Sequence, residues 1–151
     1  MKKTIQILIL TLIMVSCANH TTGNKPTFEQ AIQKHLDSIT SKNIKQMKQT
    51  VAESGEFYLT LPNGQITTTI KEFIDGQTAW FNSQGWRFST EIIKQEHGPQ
   101  YGYALVIANY HEADRGGKPY HHKMFISYDL KNTNGLWLIV KDHASTIEKS
   151  Q

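Results

Sequence analysis

The apolar residues of this chain change period once, at Gly85, and that change limits the folds open to it. Before Gly85 they recur mostly at helical spacing. After it they alternate, and the strands they mark are joined by short turns. Phe28, Ala31, Ile32, His35, Leu36 and Ile39 mark a first helix. Thr27 and Gln30 fit a capping box at its start. Ile44, Met47 and Val51 mark a short second helix. Phe57, Leu59 and Leu61 alternate with polar neighbours as a strand, closed by the turn Pro62-Asn63-Gly64. A third helix opens at Thr69, with Glu72 completing a second capping box, and carries Ile70, Phe73, Ile74, Trp80 and Phe81. Four strand signals then follow, from Trp86 to Ile92, Tyr101 to Ala113, Lys118 to Leu130 and Leu136 to Ser145. Helices early and strands late predict an α+β domain, with helices covering one face of an antiparallel sheet.

The alternation also predicts sidedness. Tyr120, His122, Met124, Ile126, Tyr128 and Leu130 share the more apolar, inner face of their strand. A four-residue turn at Asp114–Gly117 would pair Asn109 with His122, turning Tyr103, Leu105, Ile107 and Asn109 inward. A five-residue loop at Lys131–Gly135 would pair Leu130 with Leu136, turning Leu138, Val140 and Asp142 inward. Both pairings rest on loop length, and a slip of one residue reverses a face.

The chain begins with Lys2 and Lys3, then an apolar run from Ile5 to Val15 that is shorter than the ~20 residues needed to span a bilayer. Met14-Val15-Ser16-Cys17 resembles the lipobox of bacterial lipoproteins. That resemblance implies a signal peptide over 1–16 and a Cys17 that is cleaved free, acylated and anchored in the membrane. Ala18 in place of Asp then favours the outer membrane, facing the periplasm, in a cell that has two. Residues 17–26 read as the lipidated cysteine and a polar tether, reaching at most ~30 Å and so holding the domain near the membrane. The remaining 27–151 read as one domain. Cys17 is the single cysteine, so lipidation leaves no thiol for disulfides, catalysis or zinc. Without Lys2 and Lys3 the formal charge of +3 falls to +1, and no basic run remains to bind nucleic acid.

Gly135-Leu136-Trp137-Leu138-Ile139 followed by His143 and Ser145 resembles the last strand of SnoaL-like domains, in the nuclear transport factor 2-like superfamily. The helix pair, the strand ending in Pro-Asn-Gly and the helix from Thr69 to Phe81 agree with it. The resemblance spans about residues 27 to 147. It implies a cone-shaped, cystatin-like roll, in which a strongly curved sheet wraps around three N-terminal helices and leaves a pocket at the open end. It also implies frequent dimerisation through the outer sheet face. Members include isomerases, cyclases, dehydratases and ligand-binding or assembly domains, so the fold licenses no reaction.

On the expected register Asn109, His122 and Asp142 cluster at one end of an apolar cavity. Trp80, Trp86, Phe88, Tyr103 and Tyr128 are its expected walls. Asp142 and His122 are the candidate acid–base pair, since burial raises a carboxyl pKa and imidazole titrates near neutrality. Asp142, His143 and Ser145 form no triad, because adjacent strand residues point to opposite faces. His111, His121 and His122 lack the spacing of a metal site, and no cofactor is expected. Trp137, Ile139, Lys141 and His143 would make the outer face apolar enough for a homodimer. Three readings follow: a binding module for a small apolar or amphipathic molecule, an isomerase-, cyclase- or dehydratase-like acid–base enzyme, and a dimeric interaction domain.

Overall fold

The structure, a computed structural model, describes residues 25–151. Cys17, the signal segment and most of the tether lie outside the described residues. Helices α1 (Phe28–Thr40) and α2 (Ile44–Lys48) precede strands β1 (Glu56–Thr60) and β2 (Ile66–Thr69). Helix α3 (Ile70–Asn82) follows, then β3 (Trp86–His97), β4 (Tyr101–Glu112), β5 (Tyr120–Thr133) and β6 (Leu136–Lys149). Both capping boxes form, at Thr27/Gln30 and Thr69/Glu72. The short β2 has no apolar alternation and no signal in the sequence.

The strands form a six-stranded sheet in the order β2-β1-β6-β5-β4-β3. β3 to β6 are an antiparallel meander. β1 joins β6 in parallel, through Leu59 opposite Asp142, and so brings the helical half against the last strand. The helices pack on the inner face, where Ile32, Leu36, Met47 and Phe73 meet Val106, Tyr128 and Ile139 in one core.

Two connections correct the expected register. Pro119 has no N–H to give a ladder, so β5 starts only at Tyr120 and pairs there with Glu112. Asp114 Oδ1 accepts from the Gly117 N–H at 2.6 Å and holds the longer loop. Its odd change in length slides the pair by one residue: Asn109 faces Lys123, and Tyr110 faces His122. Ala104, Val106 and Ala108 are therefore the buried residues of β4. Tyr103, Leu105, Ile107 and Asn109 lie on the outer face.

The β5–β6 connection is a two-residue turn, not a five-residue loop. Asn134 and Gly135 adopt φ of 53° and 82°, as a primed hairpin turn requires, and Thr133 pairs with Leu136. Trp137 and Ile139 consequently point inward and are buried, where the sequence reading sets them outside. A bulge at Val140 then inserts one residue, since Leu130 pairs with Ile139 but Asp129 with Lys141. Past it, Asp142 and Ala144 occupy the inner face.

Gly102 is required by close packing. A Cβ there would lie 2.5 Å from the Phe28 ring, 2.6 Å from His97 Cβ and 2.9 Å from the Glu96 carbonyl. Phe28 stacks on His97 at 4.9 Å and meets Trp137 edge-on at 5.2 Å, so neither neighbour moves freely. Gly102→Ala is expected to lower stability by about 1–3 kcal/mol, read as a reduced urea midpoint at an unchanged slope.

Candidate functional site

The inner face of β5 and the helices enclose a cavity of about 280 Å³. Its walls are largely apolar, from Trp80, Phe88, Met124 and Ile126 among others. Three buried polar side chains interrupt them, His35 of α1, Tyr128 of β5 and Asp142 of β6, beside the half-buried Gln77 of α3 and Tyr110 of β4. His35 and Tyr128 are fully buried and Asp142 is 7% exposed. Each has a polar atom with no hydrogen-bond partner among the described residues: His35 Nε2, the Tyr128 hydroxyl and Asp142 Oδ1. Such atoms are uncommon in folded interiors.

The three groups are chemically distinct. Thr50 Oγ1 donates its only hydrogen to the Met47 carbonyl at 2.7 Å. It therefore accepts from His35 Nδ1, also at 2.7 Å. That fixes the His35 tautomer and leaves Nε2 as a bare acceptor. Burial holds His35 down at about 3, so it is neutral at physiological pH. The His35 ring stands edge-on to Tyr128 at 5.2 Å. Burial, and then the charge of Asp142, push the Tyr128 phenol well above its usual range, so it stays a donor. Asp142 is the cross-strand partner of Tyr128. Burial raises its carboxyl to about 7, so it both donates and accepts near neutrality.

Of the expected site residues, Trp80, Phe88, Tyr128 and Asp142 line this cavity. Trp86 lies behind it, stacked on Trp80 at 4.4 Å, with its indole N–H donated to the Trp80 carbonyl. Tyr103 is on the outer face, its hydroxyl 3.3 Å from Glu96. Asn109 is on that face too, so it does not join His122 or Asp142. His122 pairs with Lys149, whereas Asp142 pairs with Tyr128, six residues further along β5. At ~3.3 Å per residue, about 20 Å of strand separates them, too far for one acid–base pair. His122 instead lines the outer vestibule, with Nε2 at 2.8 Å from Thr146 Oγ1.

His35, Thr50 and Gln77 complete the inner site and were not expected there. His35 carries a trace in the sequence, as the one polar member of the apolar stripe on α1. Thr50 and Gln77 carry none. Among the described residues no group of three His, Cys, Asp or Glu side chains is placed to hold a metal ion. The outer sheet face is apolar through Leu105, Ile107 and the 41%-exposed Phe125, not through Trp137 and Ile139.

A curved sheet around N-terminal helices, closing on an inner cavity, defines the nuclear transport factor 2-like, cystatin-like fold. The chain is similar in structure to a ketosteroid isomerase-like protein from Erwinia carotovora, with a TM-score of 0.68 and 15% identity, covering 80% of this chain and 93% of that one. It is similar to a nuclear transport factor 2-like superfamily protein from Salmonella enterica, at a TM-score of 0.65 and 17% identity, covering 80% and 89%. The association domain of C. elegans CaMKII matches at a TM-score of 0.58 and 17% identity, covering 78% and 91%. No sequence-family model matches the chain, and no curated protein does.

The buried pair sets opposing pH dependences. The Asp142 carboxyl is raised from 3.8 to about 7, so the unfolded chain ionises first and stability falls as pH rises from about 4 to 7. His35 is lowered from 6.5 to about 3, so the unfolded chain takes up the proton first and stability falls as pH drops through that window. The two slopes cancel where they overlap. Asp142→Asn removes the first alone, and its stability is expected to climb by up to about 1.4 kcal/mol per pH unit between pH 4.5 and 6 relative to wild type. Urea unfolding at the two pH values measures this; parallel profiles would contradict it.

Proposed function

We propose that this chain binds a small apolar molecule bearing a hydroxyl or carbonyl group, with that oxygen at Tyr128 and Asp142. The observation that carries this reading is the set of four unpartnered polar atoms lining an apolar cavity, His35 Nε2, Gln77 Oε1, the Tyr128 hydroxyl and Asp142 Oδ1. Their desolvation goes unreturned within the protein, by about 1–3 kcal/mol each. A ligand oxygen supplies the missing partner: it accepts from the Tyr128 hydroxyl and from protonated Asp142, while a ligand hydroxyl donates to His35 Nε2. The cavity volume sits at the lower edge of small-molecule sites, about 300–1,000 Å³.

A second reading is acid–base catalysis at the same place. A carboxyl near 7 is suited to exchange a proton beside a carbonyl that Tyr128 polarises. Asp142 carries this chemistry in the proposal, and His122 does not. A homodimer across the outer face around Phe125 is a third, separate property, decided by sedimentation equilibrium.

The domain is also proposed to be an envelope lipoprotein, anchored through Cys17. Lys25, the first described residue, donates to the Asn134 carbonyl, at the far end of the 14-residue β5 from the vestibule residues Tyr120 and His122. That separates the tether's point of attachment from the cavity mouth by about 40 Å of strand. The tether thus joins the domain at the end of β5 opposite the vestibule.

Two measurements test these proposals. In thermal-shift screening against apolar alcohols and ketones, a ligand at about 100 times its Kd stabilises by about 2.7 kcal/mol. Ala144→Phe, which fills the cavity, is expected to abolish that shift, and Asp142→Asn to abolish any turnover of the ligand while keeping its binding. A shift that survives Ala144→Phe places the ligand elsewhere. In cells fed labelled palmitate, Cys17→Ser is expected to lose both the label and the membrane fraction; retention of either removes the anchor.

A further inference from the structure

The cavity opens outward into a vestibule of about 450 Å³, and the two share Leu61, Pro62, Trp80, Tyr110 and Met124. The vestibule differs in charge from the cavity behind it. Arg115, Lys149 and His122 stand on its rim. The Arg115 guanidinium sits over the Tyr120 ring at 3.6 Å from its centre, and Glu112 accepts from its Nε at 3.0 Å and from its Nη2. Glu112 also accepts from the Tyr110 hydroxyl, so both carboxylate oxygens are engaged and its charge offsets that of Arg115. Lys149 has no acidic partner within ion-pair distance among the described residues, and it is the rim's uncompensated cation.

We infer that the ligand of this site is an amphipathic anion, with its apolar body in the cavity and its single anionic head at the rim between Lys149 and Arg115. The inference rests on the binding reading above and adds the ligand's charge and orientation to it. Apolar walls alone accept a neutral molecule in either direction. A cation at one end and a buried donor at the other admit one direction only. Arg115 is stacked and doubly hydrogen-bonded, so its remaining N–H groups are held in place for a carboxylate or sulfonate. Lys149 supplies the net charge. His122 reports the same field: partial burial lowers its pKa, and the positive charges of Lys149 and Arg115 lower it further.

A matched pair of probes tests this. 1-Anilinonaphthalene-8-sulfonate carries a sulfonate, and N-phenyl-1-naphthylamine is the same apolar body without it. Fluorescence titration of the purified protein is expected to show both probes competing for one site. Lys149→Gln is expected to weaken the sulfonate about threefold to tenfold and to leave the neutral probe unchanged. Raising the salt should reproduce the selective loss. In NMR titrations the His122 pKa should rise with the sulfonate bound and not with the neutral probe. If Lys149→Gln affects both probes alike or neither, or if the probes do not compete, the anion assignment is overturned while cavity binding stands. If neither probe binds, the anion assignment falls, and the thermal-shift screen with alcohols and ketones decides the binding reading separately.

Discussion

The parity of β6 is the constraint on which the rest of this molecule depends. The strand must present two different sets of residues to the same interior. Its first half closes the core against α1 with Trp137 and Ile139. Its second half delivers a carboxyl to the cavity. A regular strand starting from the Asn134-Gly135 turn would keep Trp137 and Ile139 inside and turn Asp142 out, because a strand repeats every two residues. The extra residue at Val140 reverses the faces between those halves. Packing and site therefore share one strand without competing for one register. β1 then lies along the bulged segment in parallel, with Tyr58, Leu59 and Thr60 opposite Lys141, Asp142 and His143.

What this arrangement buries is costly in isolation. An apolar residue at 142 would pack the interior without raising a carboxyl to about 7, and a phenylalanine at 128 would remove an unpartnered hydroxyl. The fold holds the polar groups rigidly all the same. Thr50 fixes His35 through Nδ1, and Thr50 itself is tied three times, by its hydroxyl and its N–H to the Met47 carbonyl and by its own carbonyl to the Ile139 N–H. Tyr128 is wedged by the His35 ring. One fixed acceptor, one fixed donor and one group that switches near neutral pH make a preorganised set, which lowers the ordering cost of any ligand that matches it.

The sequence displays the layers well and the site only in part. Capping boxes and helical stripes locate α1 and α3 because both signals are local. The inner face of β5 is legible because its alternation is nearly pure, from Met124 to Leu130. The partner strands are not, since their faces depend on loop geometry and not on their own composition. Leu105 and Ile107 are more apolar than Ala104 and Ala108, yet the alanines are the buried ones, because the β4–β5 register turns them to the inner face. Pro119 and Asn134-Gly135 are the residues that decide the registers, and each has a local physical reason that composition hides. Asp142 reaches the interior by a bulge that no pattern announces. His35 is legible only as an imidazole in an apolar stripe.

The polarity of the cavity runs along β5 and gives the molecule a direction. At the Tyr128 end the groups are buried, neutral or switchable, and shielded from salt. At the Tyr120 end they are cationic, half-exposed and screened within about 8–10 Å at physiological ionic strength. A charged head entering the inner end would be stripped of water beside an Asp142 that already resists ionisation, so entry in that sense is strongly disfavoured. A head left at the rim keeps most of its hydration and meets Lys149. The apolar body then crosses Met124 and Trp80, which both chambers share. Discrimination between orientations thus comes from desolvation at one end more than from attraction at the other. Exposed cations alone contribute little, and it is the buried, apolar inner end that gives the weak charge at the mouth its meaning.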